Sequence, residues 1–235
     1  MQTDDTPRTP PRDGTGATPA NRNDLIEERR DYTADTLRRS DLAEGPLAQF
    51  TAWLADARAK KILDATAMTV ATADARGQPH ARVVLLKHFD EAGFVWYTYQ
   101  ESDKARQLAE NPRAAILFYW CALERQVRIE GTVERLDPAN ADDYFYSRPE
   151  GSRFSAAASV QSAPIPDRGV LERRVAELHA LHPDGTVPRP DVWGGYRLRP
   201  ERVEFWQGRA DRLHDRFVFT QNGVDAAWAA ERISP

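Results

Sequence analysis

The densest group of side chains able to do chemistry lies near the end of the chain. Arg212, His214 and Arg216 are spaced by two residues, so an extended backbone places all three on one face. Two guanidinium groups and an imidazole on one face repel each other unless an anion or carboxylates neutralise them, and such an arrangement is typical of a binding site. The alternative is an exposed edge strand whose charges discourage aggregation. We predict an anion-binding site here.

A second candidate is the apolar run of residues 82–86, which has a cation at each end, Arg82 and Lys87. Because an odd number of positions separates these two residues, their side chains point to opposite faces of a regular strand. They can reach one ligand only through a bulge or at the end of the strand. The alternative is an ordinary buried strand with charged ends.

A third candidate is the predicted start of a short helix at Ser102, Asp103 and Lys104. Serine is a common N-cap, and the free amides and positive dipole end of a first helical turn can hold a phosphate. Asp103 carries a negative charge, whereas a phosphate favours cations. The alternative is a capping serine with no ligand.

A fourth candidate combines Tyr144, Arg148 and Ser152. Tyr144 and Arg148 are four residues apart, hence on one helical face, and Ser152 follows a break at Pro149. Arginine supplies charge and a donor fork while the hydroxyls add further donors, which suits a small phosphate. The alternative is the end of a surface helix.

Two other features give weaker predictions. His179 and His182 are three apart with Asp184 nearby, a pattern more typical of a solvated helix face than of a metal site. We therefore expect no bound metal. Cys121 follows an apolar strand without a basic partner in sequence, and we expect a packed, unreactive thiol.

The composition excludes several classes of protein. The chain of 235 residues has 32 basic and 36 acidic side chains, a net charge of -4, so it has no global field for nucleic acid or anionic lipid. Any anion site must be a local cluster. A single cysteine excludes an internal disulfide framework and fits a reducing compartment. Since we also find no apolar run of spanning length and no secretory signal, we expect a cytoplasmic protein.

The chain is predicted to hold a tail, several helices and a set of strands. Residues 1–23 are rich in Pro and Gly and predict a disordered tail, and residues 24–235 predict a single domain. Periodicity predicts helices over 24–39, 46–63, 103–111, 137–147 and 170–181, and strands over 68–72, 82–86, 94–99, 114–120, 126–136, 202–206, 216–220 and 226–228. Strands joined mainly as hairpins, with helices beside them, favour a mainly β (α+β) fold built on an antiparallel, Greek-key-like barrel.

Taken together, ordered motifs over residues 29–235 resemble the pyridoxine/pyridoxamine 5'-phosphate oxidase family. Several ordered motifs are far more specific than any one of them. The matching stretches are Arg29-Arg30-Asp31-Tyr32, residues 82–90, Leu123-Glu124-Arg125-Gln126-Val127, Ser147-Arg148-Pro149, Gln161-Ser162, Trp193-Gly194-Gly195-Tyr196, Phe205-Trp206-Gln207-Gly208 and residues 212–216.

The resemblance implies an FMN-binding split barrel that forms a homodimer through a C-terminal region of about residues 190–235, with FMN in the cleft between subunits. The residues that the resemblance assigns to FMN are Arg82, Val83, Val84, Leu85, Leu86, Lys87, Tyr97, Thr98, Ser102, Asp103, Lys104, Gln126, Gln161, Ser162, Trp206 and Arg216.

The implied reaction converts pyridoxamine or pyridoxine 5'-phosphate to pyridoxal 5'-phosphate. A hydride passes from the C4' carbon to the flavin, and O2 reoxidises the flavin to give H2O2. Arg212 and His214 are the implied catalytic residues, which orient the pyridine ring and stabilise developing charge. The residues that the resemblance assigns to the substrate are Arg29, Arg30, Asp31, Tyr32, Lys87, Tyr144, Arg148, Ser152, Arg212, Leu213 and His214.

The chain departs from the family pattern at two positions. Asp103 stands where the family usually has arginine, so one phosphate cation is missing unless Arg106 replaces it, and we expect weaker FMN binding than is typical. Tyr99 stands where asparagine is common. Two alternatives to the oxidase stay open, a split-barrel flavin-dependent reductase and a non-catalytic protein that binds pyridoxal phosphate or FMN.

Overall fold

Strands of alternating burial build the centre of the protein. The computed structural model describes residues 30–221 and 226–235, and all the elements below lie in the unit formed by residues 32–235. The strands are β1 (Ala67–Ala73), β2 (Pro79–Leu85), β3 (His88–Asp90), β4 (Gly93–Tyr99), β5 (Arg113–Trp120), β6 (Arg125–Arg135), β7 (Trp193–Gln207), β8 (Asp215–Gln221) and β9 (Trp228–Arg232).

Within residues 30–221 and 226–235, five α-helices and three 3-10 turns connect and flank these strands. The helices are α1 (Gly45–Ala59), α2 (Asp103–Glu110), α3 (Pro138–Ser147), α4 (Glu150–Ala158) and α5 (Gly169–Leu181), and the turns are Arg39–Asp41, Cys121–Leu123 and Ala210–Arg212. Among the described residues no helix is both long and apolar enough to cross a membrane.

The strands form one antiparallel sheet, curled into a half-barrel. Its order is β2-β1-β5-β6-β7-β4-β3, and β8 pairs with β7 and β9 with β8. The chain order and the spatial order differ because β4 and β7, far apart in sequence, are neighbours. The predicted antiparallel barrel with helices beside it is confirmed.

One long strand, β7, connects the two halves of the sheet. Its first half pairs with β4 and its second half with β8, while β6 runs alongside both. The register with β6 shifts between Glu130 and Gly131, opposite Pro200. A Cβ at Gly131 would lie 1.9 Å from the carbonyl oxygen of Arg199, so only glycine permits this bulge.

Helix α1 closes the apolar side of the half-barrel. Pro46 occupies its first turn, where its missing N–H costs nothing. Phe50, fully buried, packs edge-on against Phe89 and Phe94 with ring centroids 5.0 Å apart. Burial of such a side chain contributes about 2–3 kcal/mol, so the helix is fixed by packing against the sheet.

Several sequence predictions need correction. The described part of the predicted helix 24–39 is irregular up to a 3-10 turn at Arg39–Asp41, because polar contacts to the sheet replace helical bonds there. The predicted strand 202–206 is the end of the longer β7, strand 226–228 begins at Trp228, and β3 and α4 were not predicted. Cys121 is exposed, contrary to the prediction of a packed thiol. The predicted tail, residues 1–23, lies outside the described residues.

Candidate functional site

One cavity of about 1580 Å³ brings together three of the four predicted groups. It lies between β2, β4 and the helices α2 to α5, and from here on we refer to it as the cavity. The predicted site residues that line it are Arg82, Val83, Val84, Leu85, Lys87, Tyr97, Thr98, Asp103, Lys104, Tyr144, Arg148, Ser152, Gln161 and Ser162.

The end of β2 explains how Arg82 and Lys87 share this cavity. The strand ends at Leu85, and the Lys87 amide then donates to the carbonyl of Val95 at 2.9 Å on β4. Because the chain changes direction here, the alternation that sends the two side chains to opposite faces of a regular strand no longer applies. Leu86 at this bend is buried and does not line the cavity.

Lys104 is the buried cation of the cavity. Its side chain donates to neutral oxygens only, at 2.9 Å to Thr98 Oγ1 and 2.7 Å to Gln161 Oε1. Desolvation, followed by the nearby charge of Arg82, lowers the pKa of Lys104 to about 8, while Asp103 acts in the opposite direction. A buried ammonium held in this way gains if an anion binds beside it.

Ser102 supports Lys104 from below and is itself fully buried. Its hydroxyl donates to the Tyr99 carbonyl at 2.7 Å and accepts from Lys104 Nζ at 3.2 Å. It makes no side-chain capping bond to the helix. The predicted helix start is therefore present, but Ser102 acts through Lys104 and does not line the cavity.

Arg82 is held by neutral oxygens from β1 and α2. Its Nη1 donates to Thr72 Oγ1 at 2.7 Å, and its Nη2 donates to Gln107 Oε1 at 3.0 Å. Burial lowers the pKa of Arg82, and the charge of Asp103 opposes that effect. Thr72 and Gln107 were missed in the sequence, although Gln107 lies one helical turn after Lys104.

Lys87 and Arg148 are two further cations that line the cavity. Arg148 follows the last residue of α3, with its guanidinium 5.0 Å from the Trp193 ring, and its Nη1 is buried without a hydrogen-bond partner among the described residues. Lys87 Nζ lies 5.9 Å from the centre of the Tyr144 ring. Burial lowers the pKa of Arg148. The unmade bond of Arg148 marks where an acceptor fits.

Aromatic rings form the wall beside these cations. Tyr97 stacks on Tyr144 at 4.3 Å and on Trp193 at 5.5 Å between ring centroids. Trp193 was not predicted as a site residue, although it opens a motif that the resemblance used. The flat wall suits a planar ring.

The charges of the cavity favour an anion. Among its described lining residues the carboxylates are Asp103 and Glu172, which pair with Arg106 and Arg168. Arg82, Lys87, Lys104 and Arg148 have no carboxylate within 4.0 Å in the part of the chain that the structure describes. The residues present therefore fit phosphate esters, the chemical class of FMN and of the implied substrate.

Arg106 does not replace the missing arginine at position 103. Its guanidinium bonds the Asp103 carboxylate and the Glu101 carbonyl, and it lines a separate pocket outside α2. Asp103 remains at the edge of the cavity, with its amide 3.3 Å from Ser162 Oγ.

Three predicted FMN residues lie on another part of the sheet. Gln126 pairs with Trp206 across β6 and β7, and Trp206 pairs with Arg216 across β7 and β8. They line a pocket of about 230 Å³ with Arg128, Glu204 and the C-terminal Pro235. Arg216 is already neutralised, because its Nε and Nη2 both lie 2.8 Å from Glu204 Oε1.

The prediction that Arg212, His214 and Arg216 share one extended face is wrong. The chain forms a 3-10 turn at Ala210–Arg212, and β8 begins only at Asp215. Asp211 and Arg212 have positive φ values of 54° and 63°, a conformation that costs about 1–3 kcal/mol per non-glycine residue. The turn therefore removes the extended spacing that would place Arg212 and Arg216 on one face.

Arg212 and His214 instead gather around Tyr32. The Arg212 guanidinium lies 5.6 Å from the centre of the Tyr32 ring, and the His214 ring lies 5.4 Å from Tyr32 and 4.6 Å from Trp206. The Arg209 amide donates to His214 Nδ1 at 3.1 Å, which leaves the proton of the neutral ring on Nε2. Desolvation and the charge of Arg212 lower the pKa of His214. Leu213 is exposed.

The remaining predicted residues contribute less. Arg29 lies outside the described residues, and Arg30 and Asp31 have exposed, irregular positions in the N-terminal unit. His179 stacks on Phe154 at 3.7 Å between ring centroids. No group of three potential metal ligands occurs within residues 30–221 and 226–235.

Two family models match this chain. Residues 54–182 match the family described as Pyridoxamine 5'-phosphate oxidase, and residues 193–235 match the family described as Pyridoxine 5'-phosphate oxidase C-terminal dimerisation region. A pyridoxine/pyridoxamine 5'-phosphate oxidase of Herminiimonas arsenicoxydans is 50% identical over 211 residues, which cover 90% of this chain and 99% of the relative.

Solved structures give the same fold. PhzG from Burkholderia lata 383, solved with tetrahydrophenazine-1-carboxylic acid, matches at a TM-score of 0.80 and 32% identity over 86% of this chain and 98% of its own. A pyridoxamine 5'-phosphate oxidase-related, FMN binding protein from Nostoc punctiforme matches in fold at a TM-score of 0.65 and 19% identity, over 83% of this chain and 100% of its own. This chain belongs to the pyridoxamine 5'-phosphate oxidase family.

Proposed function

We propose that this protein oxidises pyridoxamine 5'-phosphate or pyridoxine 5'-phosphate to pyridoxal 5'-phosphate, a step in forming the vitamin B6 cofactor. The observation that carries the proposal is the cavity, in which the lining cations Arg82, Lys87, Lys104 and Arg148 lie near an aromatic wall without a carboxylate within 4.0 Å among the described residues. These four cations match the charge of two phosphate dianions, one on a cofactor and one on a substrate. Oxidase relatives at about half identity over nearly the whole of their length support the same substrate class.

FMN is the cofactor of this protein. Arg82 and Lys104 are the cations we assign to its phosphate, supported by Ser102, Gln161 and Ser162, with Asp103 at the edge. Tyr97, Thr98 and the chain from Val83 to Lys87 form the adjoining wall. When bound, FMN would supply the two-electron oxidation of the substrate at its C4' carbon, with O2 as the final oxidant and H2O2 as its product; the amine substrate would also consume water and release ammonia.

The chain's own residues bind and orient the substrate. Lys87 and Arg148 hold the substrate phosphate, and the hydroxyls of Tyr144 and Ser152 add donors at the same part of the cavity. Arg212 and His214 orient the pyridine ring, with Tyr32 against both. Placement of this kind, without a strong nucleophile, is what a flavin enzyme requires of its protein.

We further propose that two copies complete each site. Gln126, Trp206 and Arg216 do not line the cavity, so the cavity of one subunit would meet this face of the other. The match of residues 193–235 to a dimerisation region supports a homodimer. Residues 24–235 would then be one domain whose C-terminal part, from about residue 190, joins the subunits. The cytoplasmic location stays a prediction.

The test is turnover by purified protein loaded with FMN. Pyridoxamine 5'-phosphate and pyridoxine 5'-phosphate are each supplied with O2, and the aldehyde and peroxide are measured together. We expect equal amounts of both products. If FMN is bound and neither substrate turns over, the proposal is refuted.

The same experiment addresses the alternatives. Binding of pyridoxal 5'-phosphate without turnover would indicate a binding protein, and oxidation of a reduced nicotinamide with added free flavin would indicate a reductase. PhzG, which is 32% identical to this chain, was solved in complex with a carboxylic acid. Arg148, whose buried Nη1 has no hydrogen-bond partner among the described residues, favours a phosphate dianion here.

A further inference from the structure

We propose that Arg125 is a positioning residue that holds Tyr32 at the substrate site, by anchoring residues 32–37, which we call the strap. This inference rests on the proposed function for the role of Tyr32. Arg125 lies in one of the motifs of the sequence, and its side chain is only 9% exposed. Arg125 lies at the start of β6 and does not line the cavity.

Arg125 uses both ends of its guanidinium to connect three elements. Its Nη2 donates to Asp35 on the strap and its Nη1 to Asp56 on α1, each at 2.7 Å. Its Nε donates to Gln207 on β7 at 2.8 Å, and its planar group stacks 4.5 Å from the Trp53 ring centre. A guanidinium fixed on every side is a rigid anchor for a segment without regular structure.

The neighbouring contacts fix the backbone of the strap in the same place. The carboxylate of Glu124 accepts from the Ala34 amide at 2.9 Å, and that of Asp215 accepts from the Leu37 amide at 3.1 Å. Arg232 donates to the Leu37 carbonyl at 3.1 Å. Asp35 is the position where the strap itself supplies a charge, so its pairing with Arg125 is the contact that one substitution can remove.

The strap delivers Tyr32 to a fixed position. Tyr32 packs over Gly208, where a Cβ would lie 2.7 Å from Tyr32 Cδ1, and its ring meets Trp206 at 5.7 Å. Arg212 and His214 face the same ring. The anchor at Arg125 and the aromatic contacts of Tyr32 are therefore opposite ends of one short segment.

Two matched variants test the anchor. Asp35→Asn and Asp56→Asn each remove one carboxylate charge at the same distance from Arg125, and the two side chains are 52% and 56% exposed. Asparagine keeps the oxygen that accepts from the Thr36 amide. Hydrogen exchange of peptides covering residues 32–37 is measured on the FMN-loaded protein without substrate.

We expect Asp35→Asn to speed exchange of the strap by about fivefold or more, with Asp56→Asn within about twofold of the parent protein. Asp35→Asn should also raise KM for pyridoxamine 5'-phosphate about fivefold with little change in kcat, as loss of uniform binding does. Equal exchange in the two variants would overturn the proposal.

Gly208→Ala separates the anchor from its effect. The added methyl displaces the Tyr32 ring but touches none of the Arg125 contacts, so KM should rise while exchange at residues 34–37 stays unchanged. Faster exchange throughout the strap in this variant would contradict a separate anchor. Because exchange needs no substrate, a parent protein that fails to turn over would refute the proposed function and leave the anchor tested.

Discussion

The cavity and the face of β6, β7 and β8 that carries Arg128, Arg202 and Arg216, which we call the outer face, both concentrate cationic side chains, yet they compensate the charges in opposite ways. On the outer face the buried Glu204 accepts from Arg128, Arg202 and Arg216. In the cavity Lys104 and Arg82 donate to neutral oxygens only. A neutralised network holds a structure together, whereas unneutralised cations raise the free energy of the empty protein until an anion binds.

The largest effect should come from breaking the neutralised network. Glu204→Gln leaves three guanidinium groups without their buried carboxylate, so we expect the free energy of unfolding to fall by about 3 kcal/mol. Chemical denaturation measures this directly. Glu201→Gln is the control, because the exposed Glu201–Arg113 pair at 2.6 Å should contribute less than about 1 kcal/mol. Equal losses would remove the distinction.

The opposite substitution in the cavity should weaken binding without weakening the fold. Lys104→Met removes a buried ammonium and the charge-assisted bonds that we propose it makes to the FMN phosphate, so FMN affinity should fall by about 30-fold, roughly 2 kcal/mol. The stability of the FMN-free protein should stay equal or rise, since no buried carboxylate loses its partner. Fluorescence titration with FMN and denaturation of the apo-protein check the two parts. A clear loss of apo stability would contradict the reading of Lys104 as unneutralised.

Arg212 tests whether the turn beside the outer face takes part in the reaction. We expect Arg212→Ala to reduce kcat/KM by more than tenfold, or more than about 1.4 kcal/mol, because the pyridine ring of the substrate would lose the cation that we propose orients it. Steady-state kinetics with pyridoxamine 5'-phosphate provide the measurement. Asp211→Asn, at an exposed residue of the same turn whose positive φ asparagine also adopts, is the comparison, and similar losses in both variants would point to a general disturbance of the turn.

The pH dependence of FMN binding should follow Lys104. The pKa of Lys104 in the empty cavity is about 8, below its ordinary value. The FMN-free protein therefore loses the Lys104 proton as the pH rises through 8, whereas a bound phosphate keeps Lys104 protonated. Affinity should therefore fall by about tenfold between pH 7 and pH 9. The stability of the apo-protein should rise over the same interval, because the unfolded chain still binds the proton. An equally steep fall in Lys104→Met would exclude this origin.

The smallest effect is expected at Asp103, at the edge of the cavity. Asp103→Arg replaces an exposed carboxylate near Arg82 and Lys104 with a cation, and FMN should bind several-fold more tightly, by about 1 kcal/mol. Asp103→Asn removes only the negative charge and should give a smaller gain. Titration of each apo-protein with FMN decides the matter, and an unchanged affinity in both would sink the idea that Asp103 weakens binding.

The local patterns of the sequence were sufficient for most of the fold. Alternation in residues 126–136 and the apolar runs at 94–99 and 114–120 correspond to β6, β4 and β5, because burial of one or both faces of a strand leaves a direct trace in residue type. The grouping of Tyr144, Arg148 and Ser152 also followed from spacing, although Ser152 lies on the next helix.

Other features depended on contacts between distant residues. No spacing rule shows that Arg82 is held by Thr72 and Gln107, or that Gln126 and Arg216 flank Trp206 on neighbouring strands. The extended face predicted for residues 212–216 failed because two residues with positive φ turn the chain there, a conformation that side-chain type alone does not signal.

The sequence by itself determined most of the strands, the family and the kinds of charged residue available for phosphate. Only the tertiary structure decided which of those charges are neutralised. Arg216 is paired because β7 brings the buried Glu204 beside it, and Lys104 is unpaired because β4 and the chain at Gln161 surround it with neutral oxygens. Charge is a property of a residue, whereas its compensation depends on what the fold places within a few ångströms.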